Sequence, residues 1–271
     1  MSGARDREYY DSTYGGFRDE LNASIRREAF GEDIGQNSWL TADEQRHFCE
    51  WMEIDADCAV LEVASGSGGP ALFVAAHTGA DVTGIDLHED GVAAANAAAR
   101  DRGIDERARF VLGDARGRLP FADGSFDAVE CIDSMNHLYE RARVLAEFRR
   151  VLRPRGRVLF TDPITVTGIL RREEILVRSR GMGEFVFTAP TVDETLLTAA
   201  GFVDVRTEDV TANMANVASA LRAARARHAD ALIEHDGADA FASFQEFLET
   251  VERLARERRL SRFAYLARNG S

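Results

Sequence analysis

A run of apolar residues that ends in a glycine-rich turn constrains the fold of this chain more than any other feature. Residues 59–64 read AVLEVA, which is typical of a strand buried on both faces. The turn GSGGPA follows at 66–71, and its Pro70 fits the first turn of a helix, where no backbone N–H is needed. A second apolar run, DVTGIDL, lies at 81–87. Strand, turn, helix and strand in this order predict a right-handed βαβ unit.

Helical and extended segments continue to alternate along the chain. An alanine-rich helix at 89–101 is expected to end near Gly103, because glycine accepts the left-handed conformation that often closes a helix. A further helix at 140–152 is expected to end before Pro154. The alternation predicts an α/β fold with a doubly wound, Rossmann-like sheet of seven strands. The other five strands are predicted at 108–114, 128–133, 157–163, 202–211 and 262–268.

Two pairs of residues predict the starts of further helices. Thr41 with Glu44, and Thr191 with Glu194, have the spacing of a capping box, in which each side chain bonds the other residue's backbone N–H. The first box is expected to open a helix over about 42–53.

A helical insertion is predicted before the last strand. Residues 213–260 are rich in Ala, Arg and Glu and predict two helices broken near Gly237. This segment is expected to form a lid over a pocket or a contact in a homodimer, and the protein is expected to be a monomer or a homodimer. The predicted regions are an N-terminal cap at 1–55, a core at 56–212, the insertion at 213–261 and the last strand at 262–271.

The composition narrows the classes of partner. A net charge of −13, from 33 basic and 46 acidic residues, argues against binding to nucleic acid. No stretch approaches the roughly 18 apolar residues that cross a membrane, and the polar N-terminus does not resemble a secretory signal. The three cysteines lie far apart and form no CxxC pair, so we expect no structural metal and a cytoplasmic location.

The ends of the first two strands suit a nucleotide. Gly66 and Gly68 let the backbone approach a ligand, and the following helix presents free N–H groups. Asp86 ends the second strand 20 residues after Gly66, where a carboxylate accepts hydrogen bonds from ribose hydroxyls. Together with Ala71, this spacing also satisfies the looser dinucleotide pattern, so the glycine loop alone leaves NAD open.

Three more features resemble the class I S-adenosylmethionine-dependent methyltransferases over about 56–165. Glu62 precedes the glycine loop, Asp114 ends the third strand in the order Gly-Asp-Ala, and LPFADGSFDAV at 119–129 leads into the fourth strand. The resemblance implies S-adenosylmethionine as the cofactor and an antiparallel last strand. Ala64 stands where the family usually has glycine. The residues expected at the cofactor are Gln36, Asn37, Glu62, Ala64, Gly66, Gly68, Asp86, Leu87, Asp114, Ala115 and Ile132.

The residues after the fourth strand are expected near the methyl acceptor. The segment at 30–37 and the spacing from Asp133 to His137 resemble those of phosphoethanolamine N-methyltransferases. In that family a tyrosine from the N-terminal segment pairs with the histidine. Tyr9, Tyr10 and Tyr14 are the candidates here, none of them at the family's spacing, and Tyr14 is favoured, with packing of all three in a helical cap as the alternative. His137 is a candidate general base, because its ordinary pKa lies near neutral pH, or a histidine that caps a helix. The predicted catalytic residues are therefore His137, Tyr14 and Asp133.

These features predict methyl transfer to a small-molecule acceptor, with nitrogen favoured and O- or C-methylation as alternatives. A cofactor-binding protein with other chemistry, such as cyclisation or decarboxylation, is a second class, and a non-catalytic module is a third. One set of residues after the fifth strand has two interpretations, an anion-binding group or a solvated helix face. It consists of Arg171, Arg172, Arg178 and Arg180.

Overall fold

Seven strands form one sheet in the order β3-β2-β1-β4-β5-β7-β6. The computed structural model describes residues 20–179 and 186–270. Strands β1 to β5 pair in parallel, whereas β7 runs antiparallel to both β5 and β6. The predicted fold class is confirmed. The strands are β1 (Ala59–Val63), β2 (Asp81–Asp86), β3 (Ala108–Leu112), β4 (Phe126–Cys131), β5 (Leu152–Val166), β6 (Phe202–Asp209) and β7 (Leu260–Asn269).

Helices cover both faces of the sheet because its central strands are apolar on both sides. Val60 of β1 packs into a cluster on one face, and its neighbour Leu61 packs into a cluster on the other. The described helices are α1 (Glu20–Phe30), α2 (Ala42–Trp51), α3 (Gly69–Thr78), α4 (Glu89–Asp101), α5 (Arg141–Val151), α6 (Arg172–Ser179), α7 (Val192–Ala199), α8 (Thr211–Arg227), α9 (Ala229–Asp236) and α10 (Ala238–Arg256). None of these helices is long and apolar enough to span a membrane.

The two predicted capping boxes have different outcomes. At α2 the Glu44 N–H donates to Thr41 Oγ1 at 3.3 Å, as predicted, but the Glu44 carboxylate binds Arg262 instead of closing the box. At α7 the prediction is wrong, because Thr191 has a φ of 73° and its side chain makes no capping bond. At α2 a tertiary contact of Glu44 therefore replaces the local one, whereas at α7 the backbone conformation of Thr191 does not allow the box.

The segment predicted as two helices contains three. The break at Gly237 is confirmed, and its φ of 89° suits glycine. A second break falls at His228, whose Nε2 lies 2.6 Å from Glu28 Oε1 on α1. Together with α1 and α6, helices α8 and α10 form a layer around a cluster that includes Trp39 and Phe247. This layer, called the helical layer below, covers the site.

Candidate functional site

One cavity at the carboxyl ends of β1 to β5 contains most of the predicted site residues. Its lining includes Asn37, Glu62, Ala64, Gly66, Asp86, Leu87, Asp114, Ala115, Ile132, Asp133 and His137. Gly68 and Gln36 do not line it, and Tyr14 lies outside the described residues. Cofactor-binding crevices of open α/β sheets lie at this edge, where the strand order reverses between β1 and β4.

The glycine loop brings backbone close to the cavity. Ala64 and Gly66 have φ values of 58° and 52°, so the residue that departs from the family's glycine adopts the same left-handed region at a modest steric cost. Gly68 is required by the packing of the core and not by the cavity, because a Cβ there would lie 2.7 Å from the Phe110 ring. A Cβ on Gly69 would lie 2.1 Å from the carbonyl oxygen of Gly35, so the N-terminal segment crosses directly over the start of α3.

Asp86 is held by two backbone donors. The Gly66 N–H donates to Asp86 Oδ2 at 2.7 Å, and the His88 N–H donates to Oδ1 at 2.9 Å. The side chain is buried, and desolvation raises its pKa while these backbone bonds oppose the shift. A carboxylate has about four acceptor positions, so these bonds leave positions for ribose hydroxyls.

Glu62 presents an unpartnered acceptor to the same cavity. Its Oε2 is buried without a hydrogen-bond partner. Burial, and then the neighbouring charge of Glu130, raise its pKa well above the usual value. Glu130 accepts from Gln45 Nε2 at 2.9 Å, and burial raises its pKa to about 7. The sequence offered one signal for Glu130, a charge between the apolar Val129 and Cys131.

Asp114 and Gln36 differ in their access to the cavity. Asp114 lines it, and its carboxylate also accepts from Arg116 Nη2 at 2.8 Å. Gln36 was expected at the cofactor, but its side chain is buried and its Oε1 accepts from the Ile34 N–H at 3.0 Å. Gln36 therefore shapes the segment that carries Asn37, and Asn37 lines the cavity.

Asp133 joins four parts of the fold. Its Oδ2 accepts from the Trp39 N–H at 2.9 Å, and its Oδ1 accepts from the Thr161 hydroxyl and from Arg262 Nε, each at 2.7 Å. Arg262 is fully buried and also donates to Glu44 at 2.7 Å. Because these donors occupy both oxygens, the contacts fit a positioning role better than direct proton transfer.

His137 and Asn136 follow β4 in a short 3₁₀ helix, Met135–His137. Both line the cavity, with His137 half-buried and Asn136 buried. The Oδ1 of Asn136 has no partner. The backbone carbonyl of Asn136 accepts from the Val186 N–H at 3.0 Å, which ties this helix to the segment after β5.

The cavity continues beyond the cofactor residues to a second end, called the acceptor end below. Sequence reasoning missed this end, because its residues come from segments that are distant along the chain. Its lining is mainly apolar and is covered by the helical layer. It comprises Trp39, Asn136, His137, Pro163, Ile164, Arg178, Leu221, Phe244, Phe247 and Leu248.

The residues of the first end fit S-adenosylmethionine. Asp86 offers acceptors for two hydroxyls, and the orphaned Glu62 Oε2 offers one for an amino group. The glycine loop leaves room for close backbone approach. Among the described residues, no three His, Cys, Asp or Glu side chains are grouped to hold a metal ion.

Comparisons with known proteins point to the same chemistry. Residues 61–160 match the methyltransferase domain family. The chain is 31% identical to the 27-O-demethylrifamycin SV methyltransferase of Amycolatopsis mediterranei over 199 residues, which is 69% of this chain and 73% of that protein. It is 40% identical to Methyltransferase GfsG of Streptomyces halstedii over 121 residues, 45% of this chain and 43% of that protein.

Solved structures share the fold. The phosphoethanolamine N-methyltransferase 2 of Haemonchus contortus, in complex with S-adenosyl-L-methionine, superposes with a TM-score of 0.82 at 18% identity, over 98% of this chain and 60% of that one. The [4+2]-cyclase SpnF superposes with a TM-score of 0.75 at 24% identity, over 97% and 94% of the two chains. At these identities the likeness concerns the fold alone.

Proposed function

Because the chain belongs to the class I S-adenosylmethionine-dependent methyltransferases, we propose that it methylates an oxygen atom of a small, largely apolar molecule. The observation that carries the proposal is the continuity of the cavity. One cavity runs from the residues that fit the cofactor to an acceptor end lined by aromatic and aliphatic side chains. An acceptor bound at that end is shielded from water by the helical layer.

Different residues are assigned to cofactor binding and to proton removal. The bound cofactor supplies an electrophilic methyl carbon. Asp86 and Glu62 hold its polar groups, and the apolar lining orients the acceptor and excludes water. A hydroxyl must lose its proton on methylation, and His137 is the side chain at the acceptor end whose ordinary pKa suits a general base. Asp133 fixes the loop before His137 through Trp39 and Arg262.

Oxygen is favoured over nitrogen by the charge of the acceptor end. The carboxylate of Asp133 already accepts three hydrogen bonds, and the buried Arg178 guanidinium lines the same end, which disfavours a cationic amine. The name of the rifamycin relative also specifies an oxygen acceptor. The nitrogen acceptor expected from the sequence is the second candidate, and it rests on the segment at 30–37 and on the Asp133–His137 spacing.

The test is a panel of matched apolar alcohols, phenols and amines, with S-adenosylhomocysteine formation measured by mass spectrometry. We expect turnover of hydroxyl compounds, and His137→Gln should lower it by about 10²–10³-fold with cofactor affinity unchanged. His77→Gln, an exposed position on α3, is the matched control. Turnover of amines alone would assign nitrogen instead, and an unchanged rate in His137→Gln would remove the general base from the mechanism.

A further inference from the structure

Arg178 is a buried cation at the acceptor end that forms no salt bridge with the residues that the structure describes. It lies in the last turn of α6, is 2% exposed and lines the cavity. Its Cζ lies 4.9 Å from the centre of the Phe247 ring. Its Nε and Nη1 are buried and have no hydrogen-bond partner. Within the described part of the chain, no carboxylate lies close enough to Arg178 to form an ion pair.

The other two buried arginines that the structure describes are both paired. Arg141 forms ion pairs of 2.7 Å with Asp162 and with Asp193. Arg262 pairs with two carboxylates at the same distance. A buried guanidinium without a partner destabilises the fold unless a ligand supplies the missing charge. Among residues 20–179 and 186–270, carboxylates thus pair with Arg141 and Arg262 but not with Arg178.

Arg178 remains charged in spite of its burial. Desolvation lowers its pKa to about 10, while the charge of Asp133 acts in the opposite direction, so the side chain is a cation at neutral pH. Asp133 does not neutralise it by contact, because its oxygens are bonded to Trp39, Thr161 and Arg262.

The sequence allowed two interpretations of the arginines between 171 and 180, an anion-binding group or a solvated helix face. Arg171 and Arg172 are exposed, which agrees with that interpretation, and Arg180 lies outside the described residues. For Arg178 the solvated-face interpretation is wrong. Its side chain lies on the buried face of α6 with Val177.

We propose that Arg178 binds a carboxylate of the acceptor molecule, so that the substrates of this enzyme are apolar acids that carry the methylated oxygen elsewhere. The inference rests on the proposed function and names its substrate class. A guanidinium presents N–H donors in a fork that matches a carboxylate. The only other arginine in the lining of this cavity, within the described residues, is Arg116, which is bonded to Asp114 near the cofactor. One cation at an apolar end suits a monoanion better than a phosphate with its larger charge.

The test compares two probes of equal size, 6-phenylhexanoate and its neutral amide. Their dissociation constants are measured by calorimetry on the full chain saturated with S-adenosylhomocysteine, so that no turnover occurs. We expect the acid to bind at least about tenfold more tightly than the amide, as a hydrogen-bonded charge pair provides. Arg178→Gln should bring the ratio near one while affinity for the amide is retained. Arg172→Gln, which removes the same charge from the exposed face of the same helix, should keep the wild-type ratio.

The outcomes separate this inference from the proposed function. A ratio near one in the wild-type protein, or an unchanged ratio in Arg178→Gln, overturns the role of Arg178 while the apolar acceptor end stands. Failure of both probes to bind, with S-adenosylhomocysteine still bound, overturns the apolar acceptor end itself. If Arg178→Gln does not fold, as judged by its melting temperature, Arg178→Lys is used. This variant keeps the charge without the fork and should lower the ratio by severalfold, and an unchanged ratio there also overturns the proposal.

Discussion

Replacement of Asp86 by asparagine removes one charge from the site and keeps the shape of the side chain. The carboxylate accepts from the Gly66 and His88 N–H groups, one on each oxygen. An amide in its place presents an N–H₂ group to one of these donors and loses the negative charge that strengthens bonds from ribose hydroxyls. A hydrogen bond to a charged group contributes about 1.5–3 kcal/mol, so loss of one such bond raises the dissociation constant of S-adenosylhomocysteine by about 10- to 150-fold.

Calorimetry on cofactor-stripped protein measures this effect directly. Adenosine should lose affinity by the same factor as S-adenosylhomocysteine, because both carry the ribose that Asp86 is assigned to bind. Asp90→Asn, an exposed position in the first turn of α4, makes the same change in net charge and should bind normally. A dissociation constant for Asp86→Asn within about twofold of wild type would refute the assignment of this carboxylate to the ribose.

Three further substitutions test the surroundings of the site. Arg262→Met leaves two buried carboxylates without their cation and should lower the free energy of unfolding by about 3–5 kcal/mol, measured by urea denaturation. Burial raises the pKa of Glu130 to about 7, so its contribution to stability is present at low pH and is lost as the pH rises through about 7. The stability of Glu130→Gln relative to wild type should therefore increase by about 1–3 kcal/mol between about pH 5 and about pH 8, and a constant difference would contradict this. Gly69→Ala places a methyl group against the Gly35 carbonyl and should weaken binding of S-adenosylhomocysteine while the core stays folded, measured by calorimetry and circular dichroism.

The cofactor end was predictable because its signals are local. Each parallel strand delivers its last residues to the same edge of the sheet, so the positions of Glu62 and Asp86 follow once the strands are placed. Two residues expected at the cofactor, Gly68 and Gln36, do not line the cavity. Gln36 lies in a segment without a regular period. Its side-chain oxygen accepts a hydrogen bond from the backbone N–H of Ile34, two residues earlier. This local contact competes with ligand binding, and the residue pattern does not predict it.

The acceptor end was not predictable in the same way, and α6 shows why. Glu174, Val177 and Arg178 have the i, i+3, i+4 spacing of one helix face, and all three are buried. The apolar Ile175 and Leu176 are the more exposed residues, so hydrophobicity alone selects the wrong face. Glu174 is buried because it forms ion pairs with Arg253 of α10 and with Arg259, which directly precedes β7. These partners lie 79 and 85 positions away along the chain, so the local residue pattern does not reveal them.

Glu62 and Arg178, at opposite ends of the cavity, favour ligand groups of opposite charge. At the cofactor end Glu62 Oε2 is an unpartnered acceptor, and at the acceptor end Arg178 has unpartnered donors on Nε and Nη1 beside the neutral acceptor Asn136 Oδ1. An amino group therefore gains a partner at the first end and meets repulsion at the second, while an acid experiences the reverse. Because Arg178 is a buried cation, an amino group at that end leaves its charge uncompensated. Under the proposed assignment, these groups fix which end of the cavity each ligand occupies.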